Sequence, residues 1–144
     1  MIYFDSSALV KRYLKEDGSD VVRSIIAGAR VIATSKLAYP EILSAFMRKH
    51  RAGEIERKPL EAIIGQFETD WDKLFVVEFH DELLKTVKVL IEKYSLRGAD
   101  TVHLSSALWL EQATKMKLTF VASDVGLLNA AQAENLKAIN PQEE

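Results

Sequence analysis

Apolar positions along the chain come in two alternating kinds. Short continuous runs cover residues 2–4, 31–33, 74–79, 118–122 and 136–139 and read as strands. Between them, apolar residues recur at helical spacing. Residues 7–15 predict a first helix through Ala8, Leu9, Arg12 and Tyr13. After Gly18, Ser19 or Asp20 caps a second, carrying Val21, Val22, Ile25 and Ile26. Ser35 offers a cap for a third, reaching about His50 with Leu37, Ile42, Ala45 and Phe46 on its apolar side and Gly53 behind it. Pro40 fits that helix only in the first turn, and otherwise kinks it. Pro59 begins a fourth, through Leu60, Ile63, Ile64, Phe67 and Trp71. Residues 81–94 hold a fifth, with Leu83, Leu84, Val87, Leu90 and Ile91 on one side. Gly98-Ala99-Asp100 opens a sixth, and Asp124 opens a short seventh.

Strands that alternate with helices predict an α/β domain: three α/β/α layers around a mostly parallel central sheet covered on both faces. No linker, repeat or low-complexity stretch divides the chain, so residues 1–144 are expected to form a single domain, with only the closing PQEE loose.

Composition adds little to that picture. The chain has 144 residues, 48% hydrophobic and 28% charged, with no cysteine, so neither disulfides nor a thiolate metal site enter. No basic flank precedes an apolar run at the N-terminus, and no run approaches the ~20 residues that span a bilayer. A cytoplasmic protein without a membrane partner is the expectation. The net charge of −2 selects no partner. The charge is uneven, however: residues 1–60 carry 11 Lys/Arg against 7 Asp/Glu, and residues 61–144 carry 8 against 14. The densest basic stretch, RKHRAGEIERK, includes Arg48, Lys49 and Arg51. Such a patch attracts phosphates, although a solvated helix end accounts for it equally well.

Four acids stand out. Sites in open α/β sheets form at the carboxyl ends of strands, where Asp5 follows the first strand and Asp124 the fourth. Glu41, in AYPEILSAF, and Asp100, in RGADTVHLSSALWL, lie in apolar surroundings. Each alone has an ordinary explanation: aspartate is a favoured helix cap, and Glu41 suits an exposed helix face. Together they carry more weight. Four converged carboxylates repel one another, and a divalent cation removes the conflict; oxygen-only donors suit Mg²⁺ or Mn²⁺. His50, His80 and His103 are scattered. His103 lies one helical turn from Asp100 and reads as a structural histidine or as a support behind the acids.

These segments resemble the PIN-domain family, and in particular the VapC-type toxins of toxin–antitoxin pairs. YFDSSALVKRYLKEDGSD is similar to the family's opening strand, first acid and serine. TSKLAYPEILSAFMRKHRAG is similar to its second acidic helix. LRGADTVHLSSAL, FVASDVGLLNAA and the final INP are similar to its later signatures. The resemblance covers nearly the whole chain. It implies a metal-dependent endoribonuclease with Mg²⁺ or Mn²⁺ held by Asp5, Glu41, Asp100 and Asp124, and with Ser7 at the family's small hydroxyl position. Ser6 falls where the family often has threonine. The resemblance also implies an RNA substrate (tRNA or ribosomal RNA), a small antitoxin partner and a homodimer. A PIN-domain nuclease or RNA-binding protein of RNA processing is the alternative.

Two other architectures fit worse. Haloacid-dehalogenase-type phosphatases need a second Asp two residues after the first, where Ser7 stands. A phosphoacceptor receiver domain needs paired acids after the first strand and a late lysine, where Ser6 and Ser123-Asp124 stand.

Overall fold

Five strands pair side by side, all in parallel, in the order β3-β2-β1-β4-β5. A computed structural model describes residues 1–143. The strands are β1 (Ile2–Phe4), β2 (Ile32–Ser35), β3 (Phe75–Val77), β4 (Thr119–Val121) and β5 (Lys137–Ile139). Among the described residues seven α-helices connect or flank them: α1 (Ser6–Leu9), α2 (Ser19–Gly28), α3 (Ala38–Arg51), α4 (Arg57–Trp71), α5 (Asp81–Lys93), α6 (Gly98–Thr114) and α7 (Val125–Ala133). None is long and apolar enough to cross a membrane.

The side-chain period of two in a strand divides the core between the faces. On one face Tyr3 and Phe120, stacked with ring centroids 5.5 Å apart, pack with Leu90 of α5, Leu104 and Leu110 of α6 and Leu127 of α7. Their neighbours Phe4 and Val121 point the other way, into Ala8, Leu9, Val22, Ile42, Phe46 and Phe67 from α1 to α4. Both faces are therefore covered, and strands this short are almost wholly apolar because neither side meets water. Phe67 is the hub of the second layer: its ring lies 5.4 Å from that of Tyr13, 5.7 Å from Phe46 and 5.6 Å from Trp71.

The first helix is shorter than its periodicity predicts. It ends at Leu9, and a 3₁₀ turn follows over Val10–Arg12. Tertiary bonds stop it: Arg12 Nε and the Tyr13 hydroxyl both donate to Asp70 Oδ2 at 2.8 Å, and Ser19 Oγ donates to the Leu14 carbonyl. Ser19 is thereby taken from the capping position expected of it, which Gly18 fills with φ +91°. A side chain at Gly18 would be strained there, and its Cβ would also lie 3.0 Å from the Pro141 backbone. Ser35 likewise belongs to β2, its Oγ accepting from the Leu37 amide, and α3 starts at Ala38. Pro40 then falls in the first turn of α3, where its missing N–H costs nothing.

The chain leaves β1 for β2 and β3 on one side of the sheet and returns to β4 on the other. The carboxyl ends of β1 and β4 therefore flank a topological switch point, the place where ligands settle in open parallel sheets.

Candidate active site

Asp5 and Asp124, at those two strand ends, line one cleft of about 330 Å³ together with Glu41, Asp100, His103, Ser6, Ser7, Arg97 and Ser123. The four acids singled out in the sequence and Ser7 thus meet, drawn from β1, α3, α6 and the β4–α7 junction.

Asp5 is buried, and every oxygen it has is used locally. Its Oδ1 caps α1 by accepting from the Ala8 amide at 2.9 Å, and Ser7 Oγ donates to both carboxylate oxygens at 2.9 Å. Burial still dominates, pushing the Asp5 carboxyl up to about 6; Asp100 adds to the push, while His103, the Ala8 amide and Ser7 oppose it. Asp100 is also buried. It sits in the first turn of α6 rather than ahead of it, and Arg97 reaches its Oδ2 from Nε and Nη2 at 3.3 Å. Arg97 itself is largely in solvent, so that pair is screened and weak. Asp124 is exposed and caps α7 through the Leu127 amide at 2.8 Å.

Glu41 is held differently. Its Oε1 accepts from Ser6 Oγ at 2.5 Å and from His103 Nε2 at 2.9 Å. Burial raises its pKa, but these two donors more than offset that and leave the carboxyl below its ordinary value. His103 is buried at the centre of the arrangement, its Nδ1 lying 2.9 Å from the Tyr3 hydroxyl. One ring nitrogen thus serves Glu41 while the Tyr3 hydroxyl holds the other. Pro40, immediately before Glu41, leaves that carboxylate free to reach its partners.

Three residues of the cleft were not singled out from sequence as part of the site. Ser6 was matched to a family position but not to a bond with Glu41. Arg97 left one signal, a cation three residues before a buried acid at a helix start. Ser123 left none: its Oγ is buried without a hydrogen-bond partner among the described residues. Of the basic stretch, Lys49 pairs with Glu54 at 2.9 Å, while Arg48 has no ion pair among the described residues and lines a second groove that adjoins the cleft.

No group of three or more His, Asp or Glu side chains among the described residues is arranged to hold a metal ion. The donors nonetheless fit a hard cation. The four carboxylates offer oxygen alone and share one cleft, and Mg²⁺ takes only one or two carboxylates beside water and substrate oxygens.

Comparison with known proteins identifies the family and the fold. The PIN domain family model matches residues 2–133. Ribonuclease VapC45 and Ribonuclease VapC49, from two strains of Mycobacterium tuberculosis, are each 36% identical over 115 residues, 75% of this chain and 75% of theirs. A chain of a toxin–antitoxin complex from Klebsiella pneumoniae shares the fold with a TM-score of 0.65 at 13% identity, over 98% of both chains.

Proposed function

This chain belongs to the PIN-domain family, and on that premise we propose that it is a metal-dependent endoribonuclease, the toxin of a VapBC-type toxin–antitoxin pair. The observation that supports the reading most is the meeting of Asp5, Glu41, Asp100 and Asp124 in one cleft at the switch point. The relatives named ribonucleases support the reaction, and the fold shared with a toxin–antitoxin complex supports a small antitoxin as partner. Action in the cytoplasm as a homodimer completes the reading.

Asp5, Asp100, Glu41 and Asp124 would hold Mg²⁺ or Mn²⁺, directly or through water. When bound, such a cation supplies an activated water and neutralises charge on the phosphoryl oxygens. The chain's own residues prepare the site. Ser7 fixes the plane of the Asp5 carboxylate by bonding both oxygens. Ser6 and His103 keep Glu41 ionised and pointed into the cleft. Arg97, at the mouth, offers a guanidinium to a phosphodiester as it enters. The β1 strand end and the first turn of α6 are rigid mounts, as a preorganised site needs.

The test is cleavage of a panel of tRNA and ribosomal RNA by purified, antitoxin-free protein with Mg²⁺, with Mn²⁺ and with EDTA, beside Asp100→Asn. Discrete fragments that require metal and disappear in the variant are expected. Equal cleavage by the variant would remove the reading.

A further inference from the structure

The acid cleft does not end at Ser123. A second groove of about 430 Å³ shares Ser6, Ser7, Glu41, Arg97 and Ser123 with it and runs on past Lys11 and Arg48 to Gln142. Beyond the acids its lining adds two cations, Lys11 and Arg48, with one further carboxylate, Glu16, beside Lys11.

Lys11 is the unusual member. It is 4% exposed, and its sole ion-pair partner among the described residues is Glu16, at 3.4 Å. An ammonium carries three donors, and burying it is unfavourable unless they are met. Arg48, which lines the same groove, has no ion pair among the described residues. Between the two clefts lies the unpartnered Ser123 hydroxyl. A hydroxyl and two cations with unfilled donor capacity therefore face one continuous trough, and a phosphate, which offers only acceptor oxygens and negative charge, complements them.

Resting on the nuclease reading, we infer that this groove binds the sugar–phosphate backbone of the RNA beside the scissile linkage, with Lys11 and Arg48 contacting phosphates that are not cut. The groove thereby sets which linkage reaches the acids. Lys11 and Arg48 position the strand and take no part in the chemistry. The polar lining favours backbone over base contacts, since stacking platforms are aromatic.

The experiment measures affinity of a single-stranded RNA oligonucleotide for Asp100→Asn protein, which holds RNA without cutting it, from about 50 to about 300 mM salt. Lys11→Gln and Arg48→Gln are added singly and together, with Lys88→Gln on α5 as control and a thermal melt of each. Each single variant is expected to lower the salt slope by about 0.7, the double by about twice that, and the control not at all. Arg48 is exposed, so its variant reports even where Lys11→Gln unfolds. RNA binding with the parental slope in Arg48→Gln and in any folded Lys11→Gln overturns the inference, and leaves the groove to an acidic peptide while the acids keep their role. Absence of RNA binding by the parent overturns this inference, while the cleavage panel decides the nuclease reading separately.

Discussion

His103 Nε2 donates to Glu41 Oε1 over 2.9 Å, joining two residues 62 positions apart in sequence. The bond crosses from α6 to α3 and closes a chain that begins at the Tyr3 hydroxyl in β1. The carboxylate most remote from the strand ends is thus oriented by the buried core and not by its own helix. Outer partners of this kind commonly tune metal affinity about 10–100-fold. His103→Gln is expected to raise the Mg²⁺ concentration needed for half-maximal cleavage by about that range, with the melt little changed. Unchanged metal dependence would reduce His103 to a packing residue.

Asp5→Asn preserves shape and, through its amide oxygen, the cap on the Ala8 amide. It removes the charge and one of the two acceptors that face Ser7. Cleavage is expected to fall by at least about 100-fold, on the scale of losing an electrostatic group from an active site. Far-ultraviolet circular dichroism should be parental. The same holds for Asp100→Asn. Parental rates in both variants would exclude the acids as the cation's ligands.

The raised Asp5 carboxyl makes a statement about pH. A carboxyl whose folded-state pKa is about 6, above its unfolded value near 4, binds protons more tightly folded than unfolded. The metal-free protein is therefore stabilised by protonation and loses that stability as pH rises from about 4 through 6, by up to about 3 kcal/mol from this group. A divalent cation relieves the loss where Asp5 is ionised. Added Mg²⁺ should raise Tm more at pH 7.5 than at pH 5; equal shifts at the two values would separate the cation from Asp5.

Asp70 behaves oppositely. Burial raises its pKa, but Arg12, Tyr13 and Gln66 donate to it and bring the net shift below the usual value. Its contribution is present above pH ~4 and is lost as pH falls through the lowered folded-state pKa. Asp70→Asn should cost about 1–2 kcal/mol in urea unfolding at pH 7, with a smaller difference near pH 3. An equal cost at both pH values would show that charge at Asp70 is not what matters.

Phe67 tests the second core. It is fully buried and touches four aromatic rings. Phe67→Ala should lose about 3–5 kcal/mol, and Phe67→Leu, which keeps more of the apolar volume, less. Similar losses in both would show that ring geometry outweighs volume.

The sheet and six of the helix positions are legible in sequence because short apolar runs and helical periodicity are local signals. Asp5 and Asp124 are legible for the same reason: Asp5 directly follows β1, and Asp124 lies in the short turn between β4 and α7. What escapes is set by distant partners. The early end of α1 depends on Asp70, far along the chain, taking Arg12 and Tyr13. The role of Ser6 depends on where α3 delivers Glu41. RKHRAGEIERK reads as one basic patch, yet folding sends Lys49 to Glu54 and leaves Arg48 at the groove, a choice of helix face that spacing alone does not make. Lys11 carries no local signal of burial, and only the packing of the whole domain buries it.

The pairing of β1 with β4 sets Ile2 beside Thr119 and Phe4 beside Val121. A parallel neighbour cannot be reached by a hairpin, so the strand that carries Asp5 waits for residues more than a hundred positions later. During synthesis the first acid therefore waits for the last: a nascent chain that stops short of β4 holds Asp5 without Asp124, and the four carboxylates meet only once residues 119–124 have been made.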